Sequence, residues 1–256
     1  MIIIAGDSWA CGEWVIDKEQ LSHGGLYQYL HDHGYPVINL GTPAGSNAQT
    51  INKLNHFFLA NGAMKHQIQA VIVIQTEWHR DFRNLNAKNN MHDIFKLANY
   101  YGLDPARDIF HQLGISNTKN FHARTMSHFY NQLEKLVEIY QLNCKISLIG
   151  GCSDIMTDVV PNDCSSIEII CKSWIDLCLD ENTSTTIDLQ IPLSLLDYLK
   201  KKFNDLDYII EWMNLCDVRR SKLLSNKDLF YPDGWHPNRI GHKILFDFIL
   251  QKMDLR

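Results

Sequence analysis

Short apolar stretches rich in Val and Ile recur along this chain. They occupy residues 1–5, 35–40, 69–74, 144–149 and 167–171. Polar residues do not alternate through them, which is typical of strands in a parallel sheet that is covered by helices on both faces. The order β-α-β-α-β therefore predicts an α/β fold: a three-layer α/β/α sandwich around a mainly parallel sheet of about five strands.

Helical patterns separate these stretches. In residues 18–33 apolar side chains recur with a helical period, and Gly34 follows as a stop. Ser46 and Gln49 have the spacing of a capping box, so a helix is predicted to begin there. Further helices are predicted at 121–141, 193–224 and 237–253, the last with Pro237 in its first turn.

Length and charge limit the function classes. The 256 residues, 45% of them hydrophobic, suit one domain over 1–256, with insertions around 79–120 and 179–230. The net charge is −5, and the 24 Lys and Arg residues are spread along the chain. No surface is therefore expected to bind a phosphate backbone, which argues against a nucleic-acid partner.

The cysteines and the N-terminal residues indicate the cellular compartment of the protein. Seven cysteines stand at irregular spacings without a C-x-x-C pair, unlike a disulfide framework or a zinc knuckle. The first apolar run ends at once in Gly6-Asp7, unlike a signal peptide, and no later stretch approaches the roughly 18 apolar residues of a membrane span. A cytoplasmic protein without a membrane partner is expected. No His, Cys, Asp and Glu group has metal-ligand spacing, so neither a metal nor a cofactor is expected.

Polar residues follow the predicted strands directly. Ser8 comes after the first strand, Gly45 after the second and Thr76-Glu77 after the third. In such folds, ligands bind beyond the carboxyl ends of the strands, so these residues share the edge where a site is expected. Gly45 also precedes a helix N-terminus, whose amides favour an anionic oxygen. Ser8 alone fits a capping hydroxyl as well as a nucleophile, because a nucleophile needs a base and a group that orients the base.

The C-terminal loop 231–238 offers both groups. Asp233 can turn back on His236 Nδ1 and leave Nε2 free to take a proton from Ser8. In the alternative interpretation, Asp233 only caps the final helix and His236 lies on the surface. His79 and His242 are poorer bases because neither has a serine block nearby, and His242 is expected at the surface or cap of the last helix.

The paired motifs resemble a known family. Gly6-Asp7-Ser8 and Asp233-Gly234-Trp235-His236-Pro237 resemble the first and last blocks of the SGNH (GDSL-type) hydrolase superfamily, across nearly the whole chain. The segment 6–14 resembles the start of SGNH-type proteins from tailed phages and some bacteria. The resemblance implies a flavodoxin-like sandwich in which Ser8 is the nucleophile, His236 the general base and then acid, and Asp233 its orienting carboxylate. It also implies a serine-dependent esterase that cleaves a small acyl ester, in the first instance an acetyl ester, of a small molecule or carbohydrate through an acyl-enzyme.

The family's oxyanion hole uses the serine amide, a glycine amide after the second strand and an asparagine side chain after the third. By this resemblance, Ser8 and Gly45 donate their amides. The second block is one residue longer than usual, so Gly41 is the alternative glycine.

The third block departs from the family pattern. Glu77 stands where the asparagine would fall, and an ionised glutamate would repel a developing oxyanion. Four readings stay open. Glu77 is protonated in a dry pocket, Thr76 donates its hydroxyl, Asn47 donates its side chain from the helix start, or Glu77 is structural and pairs with Arg80 or Arg83.

Other functions are also compatible with these residues. An O-acyltransferase would use the same triad, and Glu77 favours a binding or structural module of the same fold with weak or no turnover. A flavin- or nucleotide-binding domain would need a phosphate loop richer in Gly, Ser and Thr than Gly6-Asp7-Ser8-Trp9. One set of side chains near the motifs is compatible with either a sugar-stacking platform or the core: Trp9, Trp14, Trp78, His79, Arg80 and Trp235.

Overall fold

The computed structural model describes residues 1–15, 20–77, 118–161, 164–181, 219, 221–230 and 236–253. Its strands are β1 (Ile2–Ala5), β2 (Glu13–Val15), β3 (Gln20–His23), β4 (Val37–Asn39), β5 (Ala70–Gln75), β6 (Ile146–Gly150) and β7 (Ile167–Cys171). Five of them form one sheet in the order β4-β1-β5-β6-β7, in which every neighbouring pair is parallel. All five stretches predicted as strands lie in this sheet, so the predicted α/β class is confirmed.

Helices cover both faces of the sheet. They are α1 (Ser8–Cys11), α2 (Leu26–Asp32), α3 (Asn47–Ala60), α4 (Thr118–Tyr140), α5 (Trp174–Leu179) and α6 (Arg239–Lys252). Successive side chains of a strand point to opposite faces, so Ile3 packs into the core under α3 and α4, while Ile4 packs under α2, α5 and α6. This two-sided burial explains why the strands are apolar throughout.

The strand order of the sheet reverses its direction beside β1. Strand β1 lies between β4 and β5, so the chain passes to one side of β1 and then crosses to the other. This is the flavodoxin-like order, and ligands in such sheets bind where the order reverses, beyond the carboxyl ends of the strands. Ser8 follows β1 and Thr76 follows β5, so both lie at that point.

The predicted helix over 18–33 is wrong in its first half. Residues 20–23 form β3, which pairs antiparallel with β2, and α2 begins only at Leu26. Two glycines, Gly24 and Gly25, separate the strand from the helix, and Gly25 has a left-handed φ of 56°. A Cβ at Gly25 would lie 2.6 Å from Nδ1 of His242, so this turn requires glycine.

The capping box that begins α3 is confirmed. Ser46 Oγ accepts the amide of Gln49, and Gln49 Oε1 accepts the amide of Ser46. The helix predicted at 121–141 is α4. These two helices pack on each other and on the same face of the sheet.

The last helix begins later than predicted. Asn238 is its N-cap and accepts the amides of Ile240 and Gly241, so Pro237 lies before the helix. Asn238 thus holds the N-cap position, and Asp233, which the alternative interpretation makes the cap, lies outside the described residues. The predicted helix over 193–224 and the predicted insertions around 79–120 and 179–230 fall largely outside the described residues.

None of the described helices combines the length and the apolar character needed to cross a membrane. Cys11, Cys144, Cys171 and Cys178 are free thiols.

Candidate active site

Ser8 is presented by a tight turn between β1 and α1. Gly6 has φ 152°, and a Cβ there would lie 2.6 Å from the carbonyl oxygen of Ile74. Asp7 is the N-cap of α1, and its side chain accepts the amide of Trp9. Ser8 is thus the first residue of a four-residue helix that follows the carboxyl end of β1.

The structure brings Ser8 and His236 together. Ser8 Oγ lies 2.9 Å from His236 Nε2, a hydrogen bond between residues 228 positions apart in the chain. Ser8 is 6% exposed and His236 is half-buried. A serine in contact with a histidine nitrogen is the arrangement that a nucleophile and its base need. Asp233 lies outside the described residues, so its contact with His236 stays a prediction.

Asp7, the residue before Ser8, is a fully buried carboxylate. Its Oδ1 accepts the Trp9 amide at 2.9 Å, and its Oδ2 accepts the Thr76 hydroxyl at 2.7 Å. The Cys152 thiol lies 3.8 Å from the same Oδ2. Asp7 therefore ties the turn after β1 to the end of β5. Sequence reasoning treated Asp7 only as part of a motif, since this contact joins residues that are far apart in the chain.

The glycine amides proposed for the oxyanion hole have partners within their own loop. The Gly41 amide donates to Asn39 Oδ1 at 2.8 Å, and the Gly45 amide donates to the Thr42 carbonyl at 2.9 Å. Either glycine would have to exchange this partner to bind an oxyanion.

Asn47 and Thr76 bind each other. Asn47 Nδ2 donates to the Thr76 carbonyl, and Asn47 Oδ1 accepts the Thr76 amide, both at 3.0 Å. Asn47 Nδ2 also lies 4.0 Å from the Met126 sulfur, and the Thr76 hydroxyl points to Asp7. Glu77 follows Thr76 and is half-buried. The oxyanion roles of these residues stay predictions, and Arg80 and Arg83 lie outside the described residues.

His242 differs from its prediction. It is fully buried in α6, not at the surface, and its ring packs edge-on against Trp174 at 4.9 Å. Burial lowers its pKa to about 3 by desolvating the charged form. The backbone of Gly12 opposes this shift from beside the ring, and neither ring nitrogen has a hydrogen bond of regular geometry within the part of the chain that the structure describes. His79, the other rival base, lies outside that part.

The two described tryptophans of the proposed sugar platform have different surroundings. Trp9 is 1% exposed and packs edge-on against Trp174, so it belongs to the core. Trp14 is half-buried, and its indole Nε1 donates to the Ser8 carbonyl at 3.2 Å. The other members of the platform lie outside the described residues: Trp78, His79, Arg80 and Trp235.

A second polar network lies next to the site and was missed by sequence reasoning. Tyr130 donates its hydroxyl to Gln75 Oε1 at 2.8 Å, and Gln75 Nε2 donates to the Asp154 carbonyl at 3.0 Å. Arg219 forms an ion pair with Asp154 at 2.6 Å. Gln75 is fully buried at the end of β5, and the network supplies partners for its amide.

The similarity of this chain to known proteins is distant. No family model matches this chain, and no curated protein matches it. Among solved structures, TesA aligns over 98% of this chain and 96% of its own, with 9% identity and a TM-score of 0.41. A lipase/acylhydrolase from Enterococcus faecalis aligns over 98% and 93%, with 15% identity and a TM-score of 0.37. An acetylxylan esterase from Geobacillus stearothermophilus aligns over 100% and 94%, with 15% identity and a TM-score of 0.38.

The fold and the described site define a class. This chain is an α/β/α sandwich of flavodoxin-like strand order with a serine–histidine pair at the point where the order reverses. That architecture is the one implied by the resemblance of its motifs to the SGNH (GDSL-type) hydrolases.

Proposed function

We propose that this protein is a serine-dependent esterase that hydrolyses a small acyl ester through Ser8, His236 and Asp233. The observation that carries the proposal is the 2.9 Å hydrogen bond between Ser8 Oγ and His236 Nε2. A hydroxyl is a weak nucleophile at neutral pH, and a base within hydrogen-bond reach activates it. Ser8 lies at the sheet edge where such folds bind their ligands.

The chemistry has two halves. His236 Nε2 takes the Ser8 proton as Oγ attacks the ester carbonyl, and then gives that proton to the leaving alcohol, which leaves an acyl group on Oγ. Water next loses a proton to Nε2 and attacks the acyl carbonyl, and the Ser8 oxygen regains the proton as the acid departs. Asp233, in this proposal, accepts from Nδ1 and holds the ring in the required tautomer.

The oxyanion would rely first on the Ser8 amide. Amides in the first turn of a helix have no acceptor inside the helix, and Ser8 is the first residue of α1. The proposed donors from Gly45, Thr76 and Asn47 have protein partners in this structure. Losing one donor of such a hole costs about 10²–10³ in rate, so we expect a slow enzyme unless substrate binding frees a second donor.

The substrate proposal rests on the motif resemblance. It assigns a small acyl group, in the first instance acetyl, on a carbohydrate or another small alcohol. If such an alcohol replaced water in the second half, the same residues would perform acyl transfer.

The test compares p-nitrophenyl acetate hydrolysis by the wild type, Ser8→Ala and Ser225→Ala. Ser225 is exposed and donates to the Ser221 carbonyl, so it controls for the loss of a serine hydroxyl outside the site. We expect Ser8→Ala to reduce the rate to background and Ser225→Ala to retain it. Equal rates for the wild type and Ser8→Ala would overturn the proposal and leave a binding or structural module.

A further inference from the structure

Side chains hold the peptide unit that follows Ser8 at both ends. Its carbonyl, which belongs to Ser8, accepts the indole N–H of Trp14 at 3.2 Å. Its amide, which belongs to Trp9, donates to Asp7 Oδ1 at 2.9 Å, and Asp7 is itself held by Thr76. The four-residue helix α1 is too short to hold its own first turn rigidly. The orientation of Ser8 therefore depends on groups outside the helix.

Trp14 reaches Ser8 from a hairpin that is separate from the main sheet. The hairpin consists of β2 and β3, and it begins directly after Gly12, the residue that ends α1. Gly12 has φ 127°, and a Cβ there would lie 2.4 Å from the His23 carbonyl oxygen. The base of the hairpin is therefore packed tightly against the end of α1.

The same strand also contacts the segment that carries the base. Glu13, next to Trp14 in β2, forms an ion pair with Arg239 at 3.1 Å, and the Glu13 side chain is only 13% exposed. Arg239 is the first residue of α6 and follows His236 by three positions. Strand β2 thus contacts the nucleophile segment through Trp14 and the base segment through Glu13.

We propose that the β2–β3 hairpin is a clamp that holds Ser8 and His236 at hydrogen-bonding distance. Trp14 is the positioning residue on the nucleophile side, and the Glu13–Arg239 pair positions the base side. This inference rests on the proposed function. In this proposal Trp14 positions Ser8 and does not stack on a sugar ring. The two roles predict different kinetic effects when Trp14 is replaced.

Loss of the indole N–H leaves the Ser8 carbonyl without this donor, so the peptide can rotate and Ser8 Oγ spends less time in contact with His236. The reaction of Ser8 should slow, while the binding of a small reagent should not change. A sugar platform would instead alter the binding of a sugar ester and leave the reaction with a small reagent unchanged.

The experiment measures labelling of Ser8 by a fluorophosphonate probe in the full chain, resolved into the binding constant KI and the maximal rate kinact. Trp14→Phe keeps an aromatic ring and removes the donor, and Glu13→Gln removes the charge from the ion pair. Trp174→Phe is the matched control, since its indole also donates to a backbone carbonyl, that of Gly241, at 3.1 Å. Lys243→Gln removes an ion pair within α6 that does not contact the hairpin. The melting temperature is recorded for every variant.

We expect Trp14→Phe to lower kinact about threefold to tenfold with KI unchanged, because the variant loses the free energy of one hydrogen bond. Glu13→Gln should lower kinact about twofold to fivefold, because the Arg239 side chain is 56% exposed and ion pairs with an exposed partner are weak. Trp174→Phe should lower the melting temperature with kinact retained, and Lys243→Gln should change neither.

Unchanged kinact in both Trp14→Phe and Glu13→Gln, with Ser8 still labelled in the wild type, would overturn the clamp alone. Equal slowing by Trp14→Phe and Trp174→Phe would also overturn it, since general loosening would then explain the effect. Absence of Ser8 labelling in the wild type would overturn both the clamp and the proposed function.

Discussion

Two loops reach the catalytic edge from neighbouring strands, and their polar groups differ in what they contact. In the loop after β1, the Ser8 hydroxyl contacts His236 from the far end of the chain. In the loop after β4, the amides of Gly41 and Gly45 contact acceptors of the same loop. Ser8 and its proposed base are therefore already in contact in this structure, whereas the proposed oxyanion donors of the loop after β4 donate to other acceptors.

The largest effect should come from breaking the assembled pair. His236→Ala removes the only group that contacts Ser8 Oγ among the hydrogen bonds of the described residues, so the hydroxyl loses its base. We expect kcat for p-nitrophenyl acetate to fall by about 10⁴–10⁶, as for loss of a triad member in serine hydrolases. His31→Gln, at an exposed histidine of α2, should retain the wild-type rate. A fall of less than tenfold in His236→Ala would show that the pair does not operate.

Asn47→Ala distinguishes two roles for Asn47: a structural one, in which it binds the Thr76 backbone, and a catalytic one, in which it donates to the oxyanion. Asn47 is 1% exposed, and its side chain supplies partners for both backbone groups of Thr76. Leaving these buried groups unpaired should lower the free energy of unfolding by about 1–3 kcal/mol in urea titrations. If Asn47 has only the structural role, kcat should fall less than about tenfold. A fall of about 10²–10³ would instead identify Asn47 as an oxyanion donor.

The matched control for this variant is Asn61→Ala. Asn61 caps the other end of α3, and its side chain donates to the Phe57 carbonyl at 2.8 Å. It lies at the opposite end of the helix from the site, so kcat should be unchanged. A kcat loss equal to that of Asn47→Ala would show that any loosening of α3 reduces activity.

The strands, the capping box and the Ser8–His236 pair could be predicted because their signals are local or carried by short motifs. The β2–β3 hairpin could not be predicted, because its strands have only three and four residues and Leu21 in β3 is exposed, so they show little periodicity. The contact of Gly12 with the His23 backbone, which explains how the hairpin packs, is visible only in the structure. The contact between Trp14 and Ser8 is likewise a product of tertiary structure.

The buried face of α6 is a second feature that the sequence pattern does not predict fully. In the sequence, a helical period over 237–253 predicts one apolar face made of Ile240, Ile244, Leu245, Phe248 and Ile249. In the structure Ile240 is 53% exposed, while His242 is fully buried beside Leu245 and Phe246. Periodicity identified the helix but not the rotation that packs His242 under the turn at Gly25.

The last prediction concerns the pH dependence of stability and His242, a buried histidine six positions after His236. Its pKa of about 3 in the folded protein lies below the ordinary value of 6.5, so the unfolded chain binds a proton first as pH falls. Stability is therefore complete above pH 6.5 and is lost as pH falls from there toward 3, by up to about 1.4 kcal/mol per pH unit. Urea titrations should show a flatter pH dependence for His242→Leu, while His31→Gln should keep the wild-type slope. An unchanged slope in His242→Leu would contradict the burial of a neutral ring.

Mass mapping of the fluorophosphonate adduct tests the central claim, that Ser8 is activated by His236, most directly. The wild-type protein should carry one adduct on the peptide that contains Ser8, and Ser8→Ala should carry none. An adduct on another residue, or an unmodified Ser8 in folded protein, would contradict the account.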